Sequence, residues 1–270
     1  MSLENQTVHP VVTNQIPVTN ITSPLLIGDT IHILNQQVYK ALITQDEQIL
    51  ADFVRKQLAA GAQALAVNLG PGKEMGRLTP WVVNTIREIT DVQLFFSANI
   101  TSQKQVLQAH GQYLTINAVT SNHEELVSAL EMAQEYGSSL VVLLVQSGKM
   151  TAGIDDKLQL ASEVVEKALS AGLPLSRLYL DPVLSCRPDP VAWHVSRGLP
   201  DVGSAVETIS LLKQLDSRVK TIVALGNGSE GMAREEKSGF RCQIYSLLVA
   251  AGLDAVLLNC LDHRVMRIAV

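Results

Sequence analysis

Five polar side chains punctuate the sequence at the ends of apolar runs: Asn68, Asn99, Asn117, Asp181 and Asn227. An amide offers donors and an acceptor at fixed separation, and a carboxylate accepts paired N–H contacts. Several amides around one firm carboxylate can therefore recognise a flat heterocycle that carries donors and acceptors along one edge. A plainer reading stays open, since Asn also caps helices and shapes turns. His32 follows the first apolar run and either lines the same rim or sits in the loop beyond it. The other histidines (His9, His110, His123, His194, His263) are dispersed, and there is no metal-ligating triad. A nucleophile elbow and a phosphate-cradling glycine loop followed by Lys-Ser/Thr are also missing. The chain is expected to hold no metal of its own, and Lys149 is expected to point into solvent.

The runs that carry these residues are Leu25–Thr30, Ala64–Asn68, Gln93–Asn99, Tyr113–Asn117, Leu140–Gln146, Leu178–Asp181, Thr221–Asn227 and Ala255–Asn259. Strands buried on both faces read as unbroken Val/Ile/Leu-rich stretches, because helices cover one side and packed side chains fill the other. Eight of them alternating with helical stretches predict a (β/α)8 TIM barrel, a fold of about 250 residues whose chemistry sits at the C-terminal strand ends. Helices are predicted over Asp46–Ala60, from an N-cap at Thr79 with Pro80 at the first helical position, and over Asn122–Tyr136. Further helices are predicted over Asp155–Ala171 (Leu158, Val164, Val165 and Leu169 facing in), Ser204–Leu215 and Gln243–Ala251. Only Leu261–Val270 follows the last strand, so the eighth helix is shortened. Residues 1–23, rich in Asn, Gln, Thr, Val and Pro, form an N-terminal extension to a barrel over 24–270. This extension or a neighbouring subunit is expected to cover the strand surface left by the short helix. The long connection Cys186–Val202 is either functional or a solvated connector.

Of the 270 residues, 47% are apolar and 17% charged, which supplies an ample core. The net charge of −5 and the scattered Lys and Arg argue against a nucleic-acid surface. No apolar run approaches the roughly 20 residues a membrane span needs. Without a basic start and apolar core at the N-terminus, a cytoplasmic location is expected. Cys186, Cys242 and Cys260 are odd in number and far apart, as expected for small buried residues in a reducing compartment.

A pterin is a heterocycle of the kind the amide rim would fit, and at these residues the chain resembles the pterin-binding barrel family. The resemblance is closest to the methyltetrahydrofolate–corrinoid methyltransferases and runs from about Ile27 to Cys260. It rests on Ala64-Leu65-Ala66-Val67-Asn68-Leu69-Gly70-Pro71, Ser97-Ala98-Asn99-Ile100, Ile116-Asn117, Tyr179-Leu180-Asp181-Pro182, Thr221-Ile222-Val223-Ala224-Leu225-Gly226-Asn227 and Ala251-Gly252-Leu253-Asp254-Ala255. Dihydropteroate synthase, the sister family, fits less well. Its Asp-x-Gly-x-x-Ser motif is replaced by Val67-Asn68-Leu69-Gly70-Pro71-Gly72, and its C-terminal Arg-x-His is missing.

The resemblance implies pterin contacts from Asn99 and Asp181, with Asn227 reaching toward N5 of the folate; the reading of the strand ends adds Asn68, Asn117 and His32 to the substrate-binding rim. The family's strand-two Asp is Ala66 here, and an Asp in strand three is Phe96. Its Gly-Glu-Arg-x-Asn opening reads Gly28-Asp29-Thr30-Ile31-His32, and its Gly-x-Ser-Asn is reduced to Ala224-Leu225-Gly226-Asn227. Each lost carboxylate removes a charge-assisted hydrogen bond of about 1.5–3 kcal/mol. The implied activity is methyl transfer, in either direction, between 5-methyltetrahydrofolate and the cobalt of a corrinoid held on a partner protein. Asn227 would then strengthen its hydrogen bond to N5 in the transition state. Two alternatives stay open: a dihydropteroate synthase-like condensation, and a degenerate barrel that binds without catalysis. Apolar outer helices point to a homodimer.

Overall fold

The computed structural model describes residues 23–98, 100–145, 153–184, 202–229 and 232–270. The eight strands are β1 (Leu25–His32), β2 (Ala64–Asn68), β3 (Leu94–Ser97), β4 (Leu114–Thr120), β5 (Ser139–Leu143), β6 (Leu178–Asp181), β7 (Lys220–Ala224) and β8 (Ala255–Leu258). They pair in parallel and in sequence order, and β8 closes on β1. The expected (β/α)8 barrel is therefore the observed fold. Between the strands run α1 (Gln36–Thr44), α2 (Glu47–Ala59), α3 (Lys73–Gly76), α4 (Thr79–Arg87), α5 (Ile100–His110) and α6 (His123–Tyr136). Then follow α7 (Ile154–Ser170), α8 (Val202–Leu215), α9 (Arg234–Ala250) and α10 (His263–Ala269).

Two apolar clusters separate the layers. Ile27, Ala64, Ala66, Phe95, Val141, Tyr179, Ile222 and Ala255 pack together without any helical residue, so they fill the barrel interior. The larger cluster takes the alternate strand positions (Leu26, Leu65, Phe96, Val142, Leu180) together with helical side chains such as Val38, Leu50 and Val164. Strand alternation then fixes the rim: the positions two residues beyond the interior layer face the mouth, and these include Asp29, Asn68, Ser97 and Asp181.

Local signals account for most helix ends. Asn35 and Asp46 cap α1 and α2 by accepting from Gln37 N (3.1 Å) and Ile49 N (3.0 Å). Asp262 caps α10, and Gly137, at φ +71°, ends α6 in the left-handed region that favours glycine. Three expectations change. Thr79 lies inside α4, with Leu78 at the cap and no capping hydrogen bond. Leu169 is 53% exposed; α7 buries Lys157, Leu160, Ala161, Val164 and Ala168 instead. Helix α9 begins at Arg234, not Gln243, because its first half is held by Glu235 and Glu236 at the dipole's positive end and carries no apolar stripe to read. Only Ile244, Tyr245 and Leu248 on its second half are buried.

At the N-terminal end of the barrel, Asp254 binds Lys213 Nζ (2.8 Å), Thr221 N (2.6 Å) and Thr221 Oγ1 (2.9 Å), tying β7, β8 and α8 together. The closing helix α10 is short, as expected, and Ile268 on it and Val270 at its C-cap are exposed. The N-terminal extension predicted to cover that surface lies outside the described residues, as do Lys149 and residues 185–201 of the long connection. Among the described residues no helix is long and apolar enough to cross a membrane.

Candidate functional site

Two strand irregularities shape the mouth. On β1, Gly28 pairs with Leu65 and Ile31 with Val67, so Asp29 and Thr30 together oppose the single residue Ala66. On β4, Ile116 pairs with Leu140 and Val119 with Val142, so Asn117 and Ala118 oppose Val141. Bulges of this kind re-aim side chains and gather beside active sites. The β1 bulge detaches one backbone amide from the sheet. The N–H of Thr30 donates to Oε1 of Gln57, a fully buried side chain on α2 (3.0 Å). Gly28 is needed there, since a Cβ would lie 2.5 Å from that same oxygen.

Asp181 ends β6, faces the mouth and is only 8% exposed. Its Oδ1 accepts from Val183 N at 2.7 Å. Val183 is held at φ +57°, a conformation that β-branched residues avoid and that costs about 1–3 kcal/mol. Burial pushes the Asp181 carboxyl up to about 7, against the opposing effects of the Val183 amide and the Lys157 charge. Lys157, on α7, is itself buried and donates to Ser204 Oγ on α8 at 3.0 Å. The site therefore has a carboxyl poised between its two protonation states near neutral pH, able to accept a paired N–H contact once ionised.

Across the mouth, Asp29 lines a cleft of about 260 Å³ between the ends of β1, β7 and β8 and the helices α9 and α10. Burial raises its carboxyl to about 6, with the Arg241 charge opposing. The Asp29 charge in turn adds to the burial that lifts the Cys260 thiol to about 12. Arg241 donates from Nε to Ser229 Oγ (2.7 Å) and lies 3.8 Å from Asp262. His32 lines the cleft half-buried, and desolvation lowers its imidazole's pKa from the ordinary value, which favours the neutral form.

The described residues among those expected from sequence occupy different settings around the mouth. His32 lies with Asp29 and Arg241 in the cleft, of which Asp181 is not a wall. Asn68 is exposed, and its Oδ1 accepts from Gly70 N at 2.8 Å, so it shapes the turn after β2. Asn117 is half-buried in the β4 bulge, and its carbonyl accepts from the Ser97 hydroxyl. Asn227 is exposed in the short 3₁₀ turn Leu225–Ser229 that follows β7. Asn99 lies outside the described residues. Phe96 points into the helical layer, not the mouth, so no carboxylate has been lost from the rim at that position. Ala66 does face inward, directly opposite the bulge that carries Asp29.

Sequence reasoning singled out neither Asp29, Lys157 nor Arg241. The pair Gly28-Asp29 at the end of an apolar run was a usable signal for the first. The other two sit on helical faces that reach the mouth only through tertiary packing.

The chain is thus a closed eight-stranded parallel (β/α)8 barrel with inward carboxyls at the ends of β1 and β6. No family model matches the chain. Among solved structures of similar fold is the dihydropteroate synthase of Xanthomonas albilineans with 4-aminobenzoic acid, at TM-score 0.64 and 14% identity, covering 93% of this chain and 92% of that one. A Yersinia pestis dihydropteroate synthase with a pterine–sulfa conjugate gives TM-score 0.60 and 15% identity over 93% and 94% of the two chains. A Clostridium difficile dihydropteroate synthase solved in the presence of pteroic acid gives 0.62 and 12% over 92% and 95%. The sequence resemblance put the corrinoid methyltransferases first; these structural neighbours are dihydropteroate synthases.

Proposed function

We propose that the chain binds a pterin in the barrel mouth, with the 2-amino and ring N–H groups against Asp181. The observation that carries this reading is the carboxyl itself: inward-facing, 8% exposed and lifted by burial to about 7. A ligand edge with two N–H donors restores the ionised form by the charge-assisted hydrogen bonds it supplies. Asn117, beside Ser97 in the β4 bulge, and Asn99 at the end of the third run are the amides that would satisfy the remaining edges.

The reaction we favour is a dihydropteroate synthase-like condensation, because the similar solved structures are of that enzyme and one, from Xanthomonas albilineans, holds 7,8-dihydropteroate. Methyl transfer between 5-methyltetrahydrofolate and a corrinoid on a partner protein is the second reading. Its support is the position of Asp181 and Asn227 after consecutive strands, β6 and β7. In that reaction Asn227 holds N5 while solvent supplies the proton. Both readings fit a cytoplasmic homodimer, for which the exposed Leu247 on α9 and Ile268 on the neighbouring α10 offer apolar surface.

Calorimetric titration of the purified protein with 7,8-dihydropteroate and with 5-methyltetrahydrofolate tests this. Binding of the first supports the condensation reading, and binding of the second alone moves the function to methyl transfer. Loss of either by at least roughly tenfold in Asp181→Asn places the ligand on this carboxyl. No binding of either up to millimolar concentration overturns the pterin reading.

A further inference from the structure

We infer that the cleft between β1, β8 and α9 is a binding site for a small organic cation, a protonated amine or amidine about the size of one ring. The inference does not rest on the pterin reading. It rests on how the polar groups of the cleft are already occupied. Asp262 accepts from Arg264 N, Val265 N and Ser238 Oγ, and Arg241 is tied to Ser229 and turned toward Asp262. The amide of Asn35 donates to Thr30 O and accepts from Gln37 N.

What remains among the polar lining residues of the 260 Å³ space is the Asp29 carboxyl and the His32 imidazole. Asp29 makes no ion pair among the described residues. The neutral form of His32, which desolvation favours, carries one acceptor nitrogen. The charges around the cleft are Asp29, Asp262 and Arg241. Arg241 attracts both carboxylates, and with Asp29 ionised the three sum to one net negative charge. A phosphate or carboxylate would meet Asp29 as a like charge. A cation with several N–H donors neutralises Asp29 and gives the acceptor nitrogen of His32 a donor, while Leu225, Leu258 and Val265 line the space around its hydrocarbon part.

The experiment is a calorimetric titration of the full chain with benzamidinium and, separately, with inorganic pyrophosphate, without any pterin present. Its failure is therefore distinct from failure of the pterin reading. Benzamidinium is expected to bind and pyrophosphate is not. Asp29→Asn should weaken benzamidinium by roughly tenfold or more. A second variant guards against a folding defect. At Gly226 a Cβ would lie 3.9 Å from Asp29 Oδ2 with nothing closer, so Gly226→Ala keeps the fold while narrowing the space. It should weaken binding with an unchanged melting temperature. Wild-type affinity should also fall as the pH drops below about 6, where Asp29 takes up a proton. Cys260, its thiol pushed up to about 12, stays neutral in that range. Pyrophosphate binding more tightly than benzamidinium, or full benzamidinium affinity in both variants, overturns the inference.

Discussion

Replacing Asp181 by Asn should make the protein more stable at alkaline pH while removing its ligand affinity. The carboxyl titrates near 3.8 in an unfolded chain and at about 7 in the fold. Between those values the unfolded chain has released its proton and the folded one has kept it. The folded state therefore binds more protons, and stability falls as pH rises across the window. At 1.36 kcal/mol per pH unit, the penalty is about 1 kcal/mol at about pH 4.5 and about 4 kcal/mol at about pH 8. An asparagine carries no such penalty, and its Oδ1 can still accept from Val183 N. Urea unfolding followed by circular dichroism, on wild type and variant at both pH values, measures the difference. The other titrating groups, Asp29 among them, are common to both proteins and drop out. The variant should gain about 3 kcal/mol relative to wild type between the two pH values. A gap that stays constant with pH would refute the reasoning, since it would mean that Asp181 is not a desolvated carboxyl.

Three further outcomes follow from packing. Gly28→Ala sets a methyl 2.5 Å from Gln57 Oε1 and should cost about 1–3 kcal/mol in urea unfolding, because it displaces the acceptor of the Thr30 amide. Gly111→Ala would place a Cβ 2.0 Å from the Tyr136 carbonyl oxygen, a backbone atom that cannot swing aside. That variant should lose at least about 3 kcal/mol or fail to accumulate in soluble form, as read by expression and thermal melting. Asp254→Ala removes the acceptor of Lys213 and Thr221 at the far end of the barrel. It should lower stability by about 2 kcal/mol, yet leave titration of both the mouth and the cleft unchanged.

The barrel was legible because its strands are buried on both faces and its helices end at glycine or begin at Asp and Asn, signals that act within a few residues. The site was legible only in part. Asp181 could be read as the one carboxylate closing an apolar run, and His32 as a residue just past a strand. Which face a strand residue occupies depends on register, and register shifts at the β1 bulge through a hydrogen bond to Gln57 on another element. No local pattern encodes that bond. Phe96 shows the same limit from the other side: sequence order placed it at a family carboxylate position, while alternation about Phe95 turns it outward. Lys157 reads as a polar interruption of an amphipathic helix, and only the packing of α7 against α8 makes it the charge beside Asp181.

The amide of Thr30 is bonded to a side chain, while Gly28 and Ile31 on either side of the bulge are in register with β2. Hydrogen exchange at that one N–H therefore depends on the rotamer of Gln57 and not on the opening of the barrel. Its protection should be separable from that of Ile27 or Ile31 under the same conditions. A ligand that draws Asp29 inward would change the deuterium uptake of Thr30 without changing that of the sheet, making this amide a built-in reporter of occupancy at the β1 side of the mouth.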